Sequence, residues 1–390
     1  MQIPRVVLVL TACLVAGLHS TQSLGAETEV FGPSGGDYPL GRAAFFVGPG
    51  DFDGDGAGDL VVPNSLDDTV SIFMGDGRGG FRAKRPLPVA EAPMVPAVAD
   101  FNEDGRQDVA VSAGENVTIL ISAGSGKFTQ STIHLGVTRA RSVAAADLNL
   151  DGHVDLALPS SGFIKVVVLF GTGDGAFARQ PDLPFPNDNG IPIGINAGDF
   201  NGDGAPDLVV TDRYFTDVVI YLNNGDGTFE AGRRIDLVVG TLNNIVVGDF
   251  NEDGRLDMAT EGEAYRNQVQ LLFGNGDGTF EHRYVQLSTQ TNAVALAVAV
   301  GDFDGDCHLD LATADGGTGG MPSIGVLLGR GDGTFEHAQQ FEAGSRPHFL
   351  AAGDFNGDGA DDLAIPNAGD NFIGTLSIAL ARQGGTCGEG

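Results

Sequence analysis

The sequence predicts an all-β protein, a seven-bladed β-propeller of four-stranded blades, and three observations lead to this fold. A ten-residue line such as DFNGDGAPDL, residues 199–208, occurs in seven related copies. The copies begin at residues 51, 100, 147, 199, 249, 302 and 354, so that successive copies start 47 to 53 residues apart. A fixed period of this length indicates a repeat architecture rather than several unrelated domains. Each repeat also holds four short strand-like runs, which is the content of one propeller blade.

The strands of a repeat follow from its apolar runs and its turn residues. A first run precedes the ten-residue line, as in NNIVVGDF, and a second run ends it, as in DLVVTD at 207–212. A third run enters a Gly-Asp-Gly turn and a fourth leaves it through Phe, as in VQLLFGNGDGTF from residue 269, which is the pattern of a hairpin. No 3.6-residue apolar period appears after the N-terminus, so we expect almost no helix.

The two ends of the chain complement each other. The last repeat stops after its third strand, in GTLSIALARQGGTCGEG, and has no fourth strand. The missing strand is found at the other end, because EVFGPSGGDYPLG, residues 29–41, precedes the first loop much as TFEHAQQFEAG precedes the seventh. We therefore expect the N-terminal strand to complete the last blade and close the ring, which removes open sheet edges.

The ten-residue line is a candidate metal loop. Positions 1, 3, 5 and 9 carry Asp or Asn in every copy, and position 6 is Gly in six of the seven. Oxygen ligands on a tight loop, with a backbone carbonyl at position 7, suit Ca²⁺ better than Mg²⁺, which requires a near-ideal octahedron. Zn²⁺ is disfavoured because no His or Cys recurs at these positions. Position 12 is never acidic and a strand follows, so the loop is not an EF-hand; the alternative is a set of metal-free Asp-Gly turns.

Up to seven Ca²⁺ ions are expected, one in each loop. The predicted ligands are, in chain order, Asp51, Asp53, Asp55 and Asp59; Asp100, Asn102, Asp104 and Asp108; Asp147, Asn149, Asp151 and Asp155; Asp199, Asn201, Asp203 and Asp207; Asp249, Asn251, Asp253 and Asp257; Asp302, Asp304, Asp306 and Asp310; Asp354, Asn356, Asp358 and Asp362.

These motifs resemble a known family. The lines GDFNGDGAPDL, GDFNGDGADDL and LLFGNGDGTF are similar to the FG-GAP-like, VCBS-type repeat, which is related to the propeller of integrin α-chains. The resemblance extends over residues 29–383 and implies a calcium-loaded propeller in an extracytoplasmic setting. Members include adhesion modules, lectins and parts of polysaccharide-active enzymes, so the resemblance alone does not fix a function. The sequence departs from the pattern at Cys307, which replaces the loop glycine.

The charge of the chain limits its partners. The formal net charge is −31, and seven Ca²⁺ ions would add 14 charges and leave −17. An acidic protein with no basic stripe disfavours nucleic acid and anionic membranes as partners. We expect a monomer that binds an extracellular protein or a glycan.

The N-terminus predicts export. One Arg precedes an apolar run from Val6 to Leu18, and small residues follow, which is typical of a secretory signal peptide. We expect cleavage after Ala26, a mature propeller over 27–390, and a protein that is secreted, periplasmic or on the cell surface without a transmembrane span. A lipoprotein anchored at Cys13 is the disfavoured alternative, because the apolar run before Cys13 is short and continues after it.

Two cysteines, Cys307 and Cys387, remain after that cleavage. An even pair in an exported protein predicts a disulfide, and two free thiols are the alternative. The third strand of the last blade is expected to end near Arg382, and five extended residues reach roughly 17 Å, enough to bring Cys387 to the neighbouring loop that holds Cys307.

Basic residues mark a candidate ligand site. Residues just before the first strand of a blade should lie on the face opposite the calcium loops, around the central channel. The basic residues predicted there are Arg42, Arg139, Arg141, Arg346 and His348, in a chain with only 21 Lys and Arg. Such a group could bind an acidic ligand; solvated loop charge is the alternative.

The favoured function is a non-enzymatic, exported binding or adhesion module in which calcium is structural. A lectin is the second interpretation, weakened by the absence of Trp and by only five Tyr. A propeller belonging to a polysaccharide-active enzyme is the third, but the sequence offers no acid, base or nucleophile outside the metal loops, so no catalytic residue is predicted.

Overall fold

The computed structural model describes residues 30–31, 36–186, 189–214, 217–237, 242–261, 268–286, 295–315, 323–342 and 344–382. These residues form seven antiparallel sheets arranged in a ring, and the prediction of a seven-bladed β-propeller is confirmed. Blades are numbered here by their metal loop along the chain, and strands are given from the inner to the outer edge of each blade. Within the described residues, the helical content is a single 3₁₀ turn at Asp370–Phe372, and no helix is long and apolar enough to cross a membrane.

The strands of the first four blades are as follows: blade 1, Gly48–Gly50, Asp59–Asn64, Thr69–Gly75 and Phe81–Ala83; blade 2, Pro93–Ala99, Asp108–Ala113, Asn116–Ser122 and Phe128–His134; blade 3, Ala144–Ala146, Asp155–Ser160, Lys165–Gly171 and Phe177–Arg179; blade 4, Pro192–Gly198, Asp207–Asp212, Asp217–Tyr221 and Arg233–Asp236. Two short strands, Leu87–Pro88 and Leu183–Pro184, also pair with the third strands of blades 1 and 3.

The strands of the last three blades are as follows: blade 5, Ile245–Gly248, Asp257–Glu261, Gln268–Gly274 and Phe280–Gln286; blade 6, Ala295–Gly301, Asp310–Asp315, Ser323–Gly329 and Phe335–Glu342; blade 7, Ala351–Gly353, Asp362–Asn367, Ile373–Ala379 and, as its outer strand, Asp37–Arg42. The inner strands of neighbouring blades contact one another all round the ring, including the inner strands of blades 7 and 1.

The N-terminal strand closes the ring, as predicted. Asp37–Arg42 pairs antiparallel with Ile373–Ala379, with Asp37 opposite Ser377 and Arg42 opposite Ile373. Upstream of it, Phe31 forms a bridge with Ala381, and the Arg382 amide donates to the Val30 carbonyl at 2.7 Å. The outer edge of the last blade is therefore covered by the first described residues of the chain, which protects it from pairing with another chain.

The hydrophobic core is divided among the seven junctions between blades. Seven clusters of buried side chains occupy these junctions, one for each neighbouring pair of blades. The apolar residue at loop position 2, Phe in six copies and Leu148 in the third, lies in each cluster and is at most 3% exposed. The stability of the ring therefore depends on packing between successive repeats, as expected for repeat proteins.

The two sequence signatures meet across these junctions. The Phe at position 2 of one loop packs against the Phe that leaves the hairpin of the next blade, with ring centroids 5.5 to 6.0 Å apart. The five pairs are Phe52 with Phe128, Phe101 with Phe177, Phe200 with Phe280, Phe250 with Phe335, and Phe355 with Phe81. Blade 7 has no such hairpin, and there Phe31 takes the place, 5.6 Å from Phe303.

Candidate metal loops and the pocket at the channel mouth

Position 1 of each loop organises the backbone around it. In blade 4, Asp199 Oδ1 accepts hydrogen bonds from the amides of Gly202 at 2.7 Å and Asp203 at 3.1 Å, and Oδ2 accepts from Gly204 at 2.8 Å. The same carboxylate accepts from the amide at position 6 in all seven loops. The residue at position 6 has positive φ in all seven loops. At Cys307 φ is +77°, a conformation that is strained for a residue with a side chain.

Position 9 ties the loop to its blade. In blade 4, Asp207 Oδ2 accepts from the Phe200 amide at 3.0 Å and Oδ1 accepts from the Asn223 amide at 2.8 Å. The corresponding Asp in every blade makes the same pair of bonds and is at most 1% exposed. Burial raises the pKa of these carboxyls, to about 6 for Asp207 and about 8 for Asp310. Each oxygen keeps a second lone-pair site, so these bonds leave room for a cation.

Loop 1 fits a hard divalent cation. Asp51, Asp53 and Asp55 each offer a carboxylate oxygen, and the three oxygens lie within 4.8 Å of one another. Asp53 Oδ1 is enclosed and has no hydrogen-bond partner among the described residues, although the side chain as a whole is half-buried. Burial, followed by repulsion from Asp55 and Asp51, raises the pKa of Asp53. A divalent cation would supply the missing partner and reverse the sign of this repulsion.

Loop 6 fits a cation in the same way. Asp302, Asp304 and Asp310 offer three oxygens within 4.8 Å of one another. Burial is the largest cause that raises the pKa of both Asp302 and Asp304, and the neighbouring Asp306 raises both further. Loops 1 and 6 are the two copies with Asp at all four predicted ligand positions, which accounts for their higher density of carboxylates.

In the other five loops, side chains of the loop itself donate hydrogen bonds to some of the carboxylates. In loops 2 to 5 the Asn at position 3 donates to the carboxylate at position 5, at 2.9 to 3.2 Å. Loops 2 and 5 add an arginine at position 7: Arg106 pairs with Asp104, and Arg255 pairs with Asp253. In loop 7, Asn356 donates instead to Asp362 at 3.3 Å. Loops 1 and 6 thus bring three carboxylate oxygens together, whereas loops 2 and 5 carry a guanidinium group beside theirs.

Neighbouring loops are linked on the same face of the ring. His153 of loop 3 binds Glu103 of loop 2, and His308 of loop 6 binds Glu252 of loop 5, in each case through Nδ1. The histidine side chains at position 7 therefore contact the preceding loop. These contacts connect blades through exposed side chains, so their contribution to stability is small.

Cys307 is disulfide-bonded. Its amide donates to Asp302 Oδ2 at 2.9 Å, which keeps the hydrogen bond that a glycine makes at this position. The predicted partner, Cys387, lies outside the described residues, as do the predicted signal peptide, 1–26, and Cys13. The Cys307–Cys387 pairing itself stays a prediction.

A pocket lies at the mouth of the central channel, on the face opposite the metal loops. It encloses about 280 Å³, near the lower end of the range for small-molecule sites. Its walls come from all seven blades and their connecting segments: Phe45, Phe46, Met94, Val95, Arg141, Ser142, Val143, Ile193, Gly194, Ile195, Arg213, Asn243, Asn244, Ile245, Leu296, His348 and Phe349.

Two of the five predicted ligand-site residues, Arg141 and His348, line this pocket. The other three lie outside its walls. Arg42 pairs with Asp67 at 2.6 Å, Arg346 stacks over Phe372 at 5.7 Å, and Arg139 is exposed in a left-handed conformation with φ of +60°.

Arg213 joins Arg141 at the pocket and was missed by the sequence analysis. Arg213 follows the second strand of blade 4, whereas the prediction included only basic residues that precede the first strand of a blade. The topology of a blade could have identified it, because second strands end on the same face of the ring on which first strands begin.

The basic side chains in and beside the pocket form no ion pairs with acidic side chains of the described residues. Burial lowers the pKa of the Arg141 guanidinium, and the positive charges of Arg213 and Arg139 lower it further. Among the described residues, none of these three arginine side chains forms an ion pair. Burial and the charge of Arg346 lower the pKa of His348, so this imidazole is neutral at physiological pH.

A buried carboxylate holds one segment of the pocket wall in place. Glu261 Oε1 accepts from the amides of Asn243 and Asn244, at 2.5 and 3.2 Å. Burial raises the pKa of Glu261 to about 7. Gly194 is needed beside this segment, because a Cβ there would lie 2.8 Å from the Asn243 carbonyl oxygen.

Exposed apolar side chains lie on the same face of the ring as the pocket. Of the seven exposed large hydrophobic residues in the described part of the chain, five lie on or beside the loops that join second and third strands, which are on the pocket face. These five, called here the apolar rim, are Leu66, Phe163, Tyr214, Phe372 and Ile373.

Comparison with known proteins identifies the repeat. The pattern described as "FG-GAP-like repeat" matches residues 51–111, 100–158, 161–210, 199–260, 263–313 and 302–365. The chain belongs to the FG-GAP-like repeat family. No curated protein sequence matches it.

Solved structures resemble the propeller at low sequence identity. BBS1N, in a crystal of its complex with ARL6DN soaked with lead, is 13% identical with a TM-score of 0.65, over 91% of this chain and 98% of BBS1N. A lectin from Agrocybe aegerita, solved for its specific recognition of non-reducing terminal N-acetylglucosamine, is 20% identical with a TM-score of 0.53, over 81% of each chain. At these identities the likeness concerns the fold.

Proposed function

We propose that this FG-GAP-like propeller is an exported, non-enzymatic binding module, that Ca²⁺ in its loops is structural, and that it binds its partner through the pocket face. The two faces of the ring would then have different roles. The loop face carries the acidic groups that bind the metal, and the opposite face carries the basic and apolar groups that bind the partner.

One observation carries the proposal. Three arginines without ion-pair partners among the described residues, and five exposed apolar side chains, collect on one face of a chain whose net charge is −31. Exposed apolar side chains rimmed by polar groups are characteristic of interaction surfaces. Arginine is also enriched where proteins bind one another.

The structural role of Ca²⁺ is supported by the position of the loops. Each loop carries the residue that packs into the junction between two blades, and its position-9 carboxylate anchors the second and third strands. The enclosed Asp53 Oδ1 has no hydrogen-bond partner among the described residues, and the carboxylates of loops 1 and 6 are crowded; a bound divalent cation would relieve both conditions.

The fold neighbours agree with a binding role. BBS1N was crystallised with a partner, ARL6DN, and the Agrocybe lectin recognises a sugar. Neither ligand is carried over to this chain, because function is set by the residues of the site and not by the fold.

The proposal is tested by affinity capture. The immobilised chain is exposed to native medium or cell-surface extract with Ca²⁺, and the retained components are compared with those of the double variant Arg141→Ala, Arg213→Ala. A component retained by the wild type and lost from the variant supports binding through the pocket face. Equal retention by both proteins, or retention of nothing above a blank matrix, contradicts it.

A lectin is the second candidate, favoured by the likeness to the Agrocybe lectin. Sugar sites commonly use aromatic platforms, and Phe163 and Tyr214 of the apolar rim are exposed aromatic side chains. A glycan array separates the candidates: sugar binding that survives the two arginine substitutions but is lost in Tyr214→Ala favours the lectin. Release of uronate from an acidic polysaccharide would instead favour an enzyme.

A further inference from the structure

We propose that the pocket at the channel mouth binds a carboxylate attached to an apolar group, with the carboxylate toward Arg141 and Arg213 and the apolar group toward Phe45, Phe46 and Phe349. The inference rests on the proposed binding function and names the chemistry of its ligand. Two sources share this chemistry: a free small apolar acid, and the C-terminal residue of a peptide.

The pocket is divided into a charged wall and an aromatic wall. Arg141 belongs to blade 3 and Arg213 to blade 4, while the phenylalanines belong to the segments leading into blades 7 and 1. In a ring of seven, blades 3 and 4 lie across the channel from blades 7 and 1. A ligand that spans the mouth therefore meets positive charge at one end and aromatic rings at the other.

The charged wall suits an anion. Two guanidinium groups, half-buried on Arg141 and exposed on Arg213, line the same small pocket without a carboxylate between them among the described residues. Like charges held together in this way repel, and an anion bound between them removes the repulsion. Guanidinium groups bind carboxylates through paired N–H donors, which gives direction as well as charge.

The aromatic wall suits an apolar group. Phe46 and Phe349 stack with centroids 4.2 Å apart, and Phe45 meets His348 edge to face at 4.8 Å. His348 is neutral there, so this wall adds no second anion site. Met94 of blade 2 and Ile193 and Ile195 of blade 4 extend the apolar lining beyond this wall. A fully polar anion, such as a sugar acid, would leave this surface without a matching group.

The size of the pocket sets the size of the ligand. A volume of about 280 Å³ holds one small aromatic or aliphatic group with its carboxylate, not an extended chain. A longer ligand has to enter by its end, and a peptide that enters with its C-terminal residue presents a carboxylate first.

The test uses isothermal titration calorimetry on the full mature chain in Ca²⁺-containing buffer. The probes are 1-naphthylacetate, its neutral amide 1-naphthylacetamide, N-acetylphenylalanine and glucuronate. We expect 1-naphthylacetate to bind about tenfold or more tightly than the amide, because a hydrogen-bonded charge is lost in the amide. Equal affinity of the acid and the amide, or no binding of either acid at millimolar concentration, overturns the inference.

Variants locate the site. Arg141→Ala with Arg213→Ala should weaken naphthylacetate binding by about tenfold or more and leave the amide unchanged. The matched control removes two exposed arginines of blade 1, Arg78 and Arg82, which changes the net charge equally away from the pocket. Because Arg141 is half-buried, the exposed Arg213→Ala is also measured alone and should weaken binding in the same direction. Equal losses in the control and in the pocket variants contradict the assignment.

Comparison of the probes distinguishes a peptide C-terminus from a free acid. It also separates the ligand inference from the proposed binding function. Tighter binding of N-acetylphenylalanine than of naphthylacetate assigns the site to a peptide C-terminus, and the reverse assigns it to a free acid. Tighter binding of glucuronate than of both overturns the apolar half of the inference. If none of the acids binds while affinity capture still depends on Arg141 and Arg213, the inference fails and the proposed binding function stands.

Discussion

Replacing Glu261 with glutamine should stabilise the protein by about 3 kcal/mol at pH 8 and by less than about 1 kcal/mol at pH 5. Glu261 is 1% exposed, and burial raises its pKa from 4.5 to about 7 with no charged side chain among the causes. Below pH 4.5 the carboxyl is protonated in both the folded and the unfolded chain, so it does not change the free energy of unfolding with pH. Between pH 4.5 and 7 the unfolded chain loses the proton while the folded chain keeps it, so stability falls as the pH rises.

The magnitude follows from the size of the shift. A rise from 4.5 to about 7 is roughly 2.5 units, and each unit corresponds to about 1.4 kcal/mol, which gives about 3 kcal/mol once the pH exceeds 7. Glutamine cannot titrate, and with its carbonyl oxygen at the place of Oε1 it can keep the hydrogen bonds from the amides of Asn243 and Asn244. The Thr260 hydroxyl donates to the Asn244 carbonyl at 2.7 Å, so its oxygen can accept from the new amide group at the place of Oε2, 3.1 Å away.

The assay is thermal unfolding at pH 5 and pH 8 in saturating Ca²⁺, followed by circular dichroism. For a chain of 390 residues, about 2.1 cal/mol/K of unfolding entropy per residue converts 3 kcal/mol into a Tm increase of about 4 °C. The control is Glu91→Gln, the same substitution at an exposed position. A Glu261→Gln variant that melts below the wild type at pH 8, or differs from it equally at both pH values, would refute the reasoning.

Three further predictions concern the metal, the ring closure and the disulfide. Removing Ca²⁺ with EDTA should lower Tm by several degrees, because each loop occupied at ten times its Kd adds about 1.4 kcal/mol; an unchanged melting curve refutes the structural role. Deleting residues 27–40 removes Phe31 and most of the outer strand of blade 7. The truncated protein should aggregate on gel filtration, and a stable monomer would count against closure. Intact-mass analysis of secreted, unreduced protein should find no alkylatable thiol, and labelling of both Cys307 and Cys387 would exclude the bridge.

The repeat pattern predicted most of the fold because the determinants of a blade are local. The four strands, the hairpin turn and the positive φ at loop position 6 all lie within one repeat of 47 to 53 residues. Closure was also predictable, since the missing fourth strand of blade 7 and the spare strand at residues 29–41 are both visible in the sequence. The spacing also predicted that carboxylates converge within a loop, and in loops 1 and 6 three carboxylate oxygens lie within 4.8 Å of one another.

The sequence did not predict how unequal the loops are. The sequence shows which loops have four Asp residues and which have Arg at position 7, but not that burial encloses Asp53 Oδ1 in loop 1 or that Arg106 folds back onto Asp104 in loop 2. The two hydrogen bonds accepted by the position-9 carboxylate were also not predicted. One of their donors lies at the end of the third strand, which comes near the loop only after the blade has folded.

The pocket was decided by the tertiary structure. Arg141 and Arg213 come from different repeats, and Phe349 lies 136 positions after Arg213; only the closed ring brings the three residues to one opening. The buried state of Glu261 has the same origin, because desolvation depends on what packs around a residue and not on its neighbours in sequence. A period specifies which residues repeat, whereas a site made of one residue from each blade depends on where the repeats differ and on how the ring closes.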